Sequence, residues 1–77
     1  MSRLKLVPYQ DLSRLAEMQG FTWVRRQGSH NTFRAVDGRI IVIPDHGSQV
    51  IVRPLLRKII HDIGLTVDEY NRLIDSL

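Results

Sequence analysis

Apolar residues recur at helical spacing in three stretches of this chain and at strand spacing in three others, in an order that predicts αβββα followed by one more helix. Leu12, Leu15 and Ala16, with Tyr9 one turn earlier, mark a first helix over residues 8–19. Pro8 suits its start because the missing N–H has no partner there, and Gly20 suits its end. Phe21, just beyond, can fold back onto Leu15 and Ala16. Residues 21–26 are aromatic and β-branched, residues 30–35 alternate, and residues 39–43 are apolar almost throughout. Three strands are expected, the third well covered or central. Gln27-Gly28-Ser29 and Asp37-Gly38 supply the turns between them.

The second half continues the pattern. Residues 44–52 read as a loop with a short extended piece over 49–52, after which Pro54 can start a second helix. Leu55, Leu56, Ile59, Ile60 and Ile63 form its apolar stripe and leave Arg53, Arg57, Lys58 and His61 on the outer side, with Gly64 at its end. Thr66 and Glu69 have capping-box spacing, and Tyr70, Leu73, Ile74 and Leu77 define a short closing helix. The fold class is α+β, and 77 residues make one domain whose core is too small for a deep cofactor cavity. Function should lie on the surface.

On the second strand, period two puts His30, Thr32 and Arg34 on one face and Asn31, Phe33 and Ala35 on the other. If Phe33 enters the core, His30 and Arg34 point to water together.

Charge sharpens the picture once it is located along the chain. The formal net charge is +3, yet residues 25–58 alone carry Arg25, Arg26, Arg34, Arg39, Arg53, Arg57 and Lys58 against only Asp37 and Asp45. From Asp62 onward Asp68, Glu69 and Asp75 join it against Arg72, so a basic middle precedes an acidic tail. A basic band suits a polyanion, although scattered arginines are also common on ordinary solvated faces. The apolar runs are too short to cross a bilayer, and the opening Met1-Ser2-Arg3-Leu4-Lys5-Leu6-Val7 lacks the apolar segment of a signal peptide. The absence of cysteine removes disulfides and thiolate metal sites and fits the cytoplasm.

Gly28-Ser29-His30 is the stretch where chemistry is most concentrated. Histidine is the side chain whose ordinary titration falls near neutrality, so His30 could take the proton from a ribose 2′-OH attacking the neighbouring phosphate, or give one to the departing oxygen. DNA lacks that nucleophile. Arg34 could neutralise charge at the phosphate, Gly28 and Ser29 could offer backbone amides, and Arg25, Arg26, Arg57 and Lys58 could hold further phosphates. His46, following Pro44-Asp45, reads as a structural hydrogen-bonder, and His61 as a surface residue. Trp23 and Tyr9 read as core or edge packing rather than stacking platforms. Asp45 and His46 are adjacent and no acidic cluster stands nearby, so neither a metal nor another cofactor is expected.

Gly28-Ser29-His30, the Asp37-Gly38 hairpin, Val42-Ile43-Pro44 with His46-Gly47, and Leu56-Arg57-Lys58-Ile59 leading to Gly64-Leu65-Thr66 and Glu69 together resemble the HicA family of toxins. The resemblance implies a fold similar to a double-stranded-RNA-binding domain, a three-stranded antiparallel sheet with helices on one face. It implies translation-independent cleavage of mRNA, with His30 on the family's catalytic histidine and Gly28 on the glycine before it, restrained by a HicB-type antitoxin. The chain departs from the family pattern at Asn31, where a second histidine is frequent, and at Gln49-Val50 and Pro54-Leu55. Two readings stay open: an endoribonuclease toxin, and a non-catalytic RNA-binding module of similar fold in which His30 only contacts a phosphate or a 2′-OH.

Overall fold

A computed structural model of the protein describes residues 3–77; Met1 and Ser2 of the opening stretch lie outside it. The order is α1 (Tyr9–Met18), β1 (Phe21–Gln27), β2 (His30–Ala35), β3 (Ile40–Pro44), α2 (Arg53–Ile63) and α3 (Val67–Asp75), the expected αβββαα. Pro8 caps α1 from just outside it, and Leu12, Leu15 and Ala16 are buried with Phe21 in one core. Pro54 lies in the first turn of α2, whose Leu56, Ile59, Ile60 and Ile63 are buried. The Thr66–Glu69 capping box forms in full, and the Thr66 backbone N–H holds the Glu69 carboxyl below its usual range.

The sheet is antiparallel in the order β1-β2-β3, so β2 is central and β3 is an edge. This corrects the expectation that the most apolar strand is central or well covered. Ile41 and Ile43 are buried, but Ile40 and Val42 between them are 54% and 41% exposed. The unbroken run reflects the liking of β-branched residues for a strand rather than burial on both sides. The Asp37-Gly38 turn is also longer than a two-residue hairpin. Gly38 N–H donates to the Ala35 carbonyl at 3.0 Å and Ala35 N–H to the Arg39 carbonyl at 2.9 Å, leaving a three-residue loop with Gly38 left-handed at φ 95°.

Phe21, Phe33, Ala35, Ile41 and Ile43 turn toward α1 and α2, which contact the sheet from one side. Pairing sets the other side as Thr22 with Arg34, Arg25 with Thr32, Gln27 with His30, Thr32 with Val42 and Arg34 with Ile40. Among the described residues no helix covers that face.

Two arginines of the basic band serve the fold. Arg39 donates from Nη1 to the Asp62 and Ile63 carbonyls at 3.1 and 2.8 Å, closing the end of α2, and its guanidinium lies 5.3 Å from the Phe21 ring centre. Arg53, expected on the outer side of its helix, instead donates to the Leu4 carbonyl at 2.9 Å. That bond helps to hold the extended opening segment, whose Leu4 and Val7 are buried.

Asn71 and Tyr70 hold the same segment from α3. Asn71 donates to the Arg3 carbonyl at 2.8 Å and accepts from Lys5 N–H at 3.2 Å, while the Tyr70 hydroxyl donates to the Lys5 carbonyl at 2.7 Å. Burial, with a smaller push from the Asp11 carboxylate, raises the Tyr70 phenol well above its usual value. Folding therefore favours the protonated phenol, a contribution that is complete below the unfolded value of about 10 and is lost as pH climbs above it. Tyr70→Phe should cost about 1 kcal/mol at neutral pH by stranding the Lys5 carbonyl, and should flatten the loss of stability above about pH 10. Urea unfolding of both proteins at neutral and alkaline pH measures the two effects.

Candidate functional site

The site grows from the turn between β1 and β2. Gln27 pairs with His30, so only Gly28 and Ser29 lie between the strands. Gly28 has φ 60° and Ser29 does not have a positive φ, the pattern of a type II′ turn whose first central position requires glycine. On the far side of β2 the Asp45 N–H donates to the Ser29 carbonyl at 2.7 Å, which carries the β2–β3 ladder one residue past His30. His30 is thus fixed by main-chain pairing on both flanks while its side chain stands exposed. Among the described residues its ring makes no hydrogen bond.

Thr32 and Arg34 follow on the same face, as period two requires. Pairing adds Arg25 from β1, diagonal to His30 at about 7–8 Å between backbones, whereas Arg34 lies four residues along the strand, about 13 Å away. Arg25 is therefore the nearer cation to the imidazole. No acid stands on this face, and neither Arg25 nor Arg34 is in an ion pair among the described residues.

The remaining expected site residues fall elsewhere. Arg26 pairs with Asn31, on the opposite side of β1 from Arg25. It donates from Nε to the Gly28 carbonyl at 2.7 Å and lies 3.5 Å from Asp45, so it braces the turn from behind. Arg57 and Lys58 are exposed on α2, across the sheet from His30. Lys58 is paired with Asp62 at 2.8 Å, and this contact holds the Asp62 carboxyl below its usual range.

His46 is exposed and its ring has no hydrogen-bond partner among the described residues, so it is not the structural hydrogen-bonder its position suggested. Asp45 performs that task, accepting from the Gly47 N–H at 3.0 Å while facing Arg26. His61 is a surface residue beside Asp62. Tyr9 tilts against Phe33 with ring centres 6.5 Å apart, and burial foremost, then the Asp45 carboxylate, raises its phenol above the usual value.

Asn31, where the family often has histidine, is buried. Its Oδ1 accepts from the Trp23 indole at 3.0 Å and its Nδ2 donates to the Ser29 carbonyl at 3.4 Å. It therefore ties the half-exposed Trp23 of the edge strand to the turn that carries His30. Period two foretold that Asn31 faces inward; nothing in the local pattern foretold its partners. No group of three or more histidine or acidic side chains is gathered for a metal among the described residues, and no helix described is long and apolar enough to cross a membrane.

A small α+β domain with helices on one face of its sheet and an acid-free face bearing one exposed histidine on the other defines the structural class. The family model described as the HicA toxin of bacterial toxin-antitoxin matches residues 9–65, from the first residue of α1 to just past α2, and the chain belongs to that family. It is thus a toxin of a toxin–antitoxin system, and membership implies a cognate antitoxin. No curated protein matches the chain.

Proposed function

We propose that this toxin is a metal-independent endoribonuclease that cleaves mRNA in the cytoplasm, with His30 as its catalytic residue and a HicB-type antitoxin as its partner. The observation that carries the reading is the exposed His30 imidazole on an acid-free sheet face, with the cations Arg25 and Arg34 on the same face. A ring nitrogen of His30 takes the proton of the ribose 2′-OH as that oxygen bonds to the adjacent phosphorus. The bond from phosphorus to O5′ breaks, leaving a 2′,3′-cyclic phosphate, and the departing oxygen is protonated from solvent, to which this face is open.

Arg25 offsets charge nearest the reacting phosphate, and Arg34 holds one further along the strand. Gly28 and Ser29 let the RNA backbone approach the turn, while Arg26 acts through the turn's shape. Arg57 and Lys58 engage only RNA that runs past the edge of the sheet. One observation favours the second reading, a non-catalytic RNA-binding module: among the strand residues paired on the exposed face, His30 is the single acid–base side chain.

Incubating the purified protein with RNA and with DNA of the same sequence in EDTA separates the two. The endoribonuclease reading expects RNA cut at a rate EDTA does not change, DNA intact, and fragments with 5′-hydroxyl ends. Intact RNA bound by folded protein would establish the module instead.

A further inference from the structure

The hydrogen bonds from Ala35 N–H to Arg39 and from Asp45 N–H to Ser29 fix the phase of the β2–β3 ladder. Ile41 and Ile43 turn their main-chain groups toward β2, so Ile40 and Val42 turn theirs outward. Among the described residues nothing bonds to these outward groups. The two edges of the sheet differ in protection. β1 has a bulge between Trp23 and Arg25 and carries Arg25 and Arg26, devices that discourage strand addition. β3 has neither a bulge nor a charge between Arg39 and Asp45, and its exposed Ile40 and Val42 side chains widen the apolar border.

We propose that the edge of β3 is a docking site for an extended segment of the cognate antitoxin that carries carboxylates at alternate positions. Main-chain bonds to Ile40 and Val42 would hold the segment, and period two would send every second side chain to the face that carries Arg34, Arg25 and His30 without any acid. Charge complementarity selects this occupant over a second copy of the chain, which would bring its own Arg34 and His30 and a formal charge of +3. A docked strand also screens the phosphate path, so it slows RNA cleavage. That regulatory half rests on the reading of His30 as catalytic, whereas the docking half does not.

The probe is a short labelled peptide alternating glutamate and valine, with a lysine–valine peptide as control. Val42→Pro deletes an outward N–H and leaves the ladder to β2 intact, and Ile40→Glu blunts the edge without proline and sets a like charge against the peptide's carboxylates. Thermal melts check that both variants fold. The glutamate peptide should shift and protect the Ile40 and Val42 amides, should bind the Val42→Pro protein about tenfold more weakly, and should outbind the lysine peptide. Equal affinity for wild type and both variants, or shifts confined to the helices, would overturn the docking site, and self-association through β3 would replace its occupant. Peptide binding that leaves RNA cleavage unslowed would overturn only the regulatory half. An absence of cleavage by the free protein would count against the nuclease reading and leave the docking result standing.

Discussion

His30→Ala is expected to lower RNA cleavage by about 10²- to 10⁴-fold, the usual contribution of a positioned acid–base group, while the protein stays folded and still binds RNA. The ring is exposed and makes no hydrogen bond among the described residues, so its removal opens no cavity and strands no partner. A stability change within about 0.5 kcal/mol is expected for such a surface substitution. RNA affinity should fall only a few-fold, because Arg25, Arg34 and the glycine turn remain. Single-turnover cleavage, a thermal melt and fluorescence anisotropy with intact RNA measure the three quantities on one preparation. Lost cleavage together with lost folding would make His30 a scaffold residue; unchanged cleavage would remove it from the chemistry.

Phe33→Ala should have the opposite profile. Phe33 is 1% exposed and touches the Tyr9 ring at the centre of the sheet's covered face. Truncating a buried phenylalanine costs about 3–5 kcal/mol, and a domain of this size has only about that much stability in all. The variant should be largely unfolded at 25 °C by circular dichroism and should lose RNA binding along with cleavage. His30 and Phe33 share one strand and lie on opposite faces of it, so the pair separates what the covered face does from what the uncovered face does. A Phe33→Ala protein as stable as wild type would mean that the core does not rest on this sheet.

The elements were readable from the chain because each is encoded locally. Helical spacing around Leu12 and Leu56, the Thr66–Glu69 box and alternation around Phe33 all reappear in the structure. The facing of His30 and Arg34 followed from the same alternation. Lateral strand order is not encoded that way. The residues from Ile40 to Ile43 look alike one by one, and only pairing shows that two of them border solvent at an edge.

Long side chains were equally opaque. Arg26, Arg39 and Arg53 all belong to the basic band, yet each bonds a carbonyl, and for Arg39 and Arg53 the partner is distant in sequence. Arg25 and Arg34, without such partners, are the cations of the uncovered face. His46 shows the converse. Its setting after Pro44-Asp45 suggested a hydrogen-bonded ring, but the neighbouring carboxylate satisfies the loop amide and leaves the imidazole in water.

The most direct test is an NMR titration of the labelled protein with a 2′-O-methyl oligoribonucleotide, which binds as RNA but cannot undergo attack by its own 2′-oxygen. The account predicts that the largest amide shifts fall on Arg25, Gly28, Ser29, His30, Thr32 and Arg34, with Arg57 and Lys58 nearly still. Shifts centred on α2 and α3, with β1 and β2 silent, would contradict it.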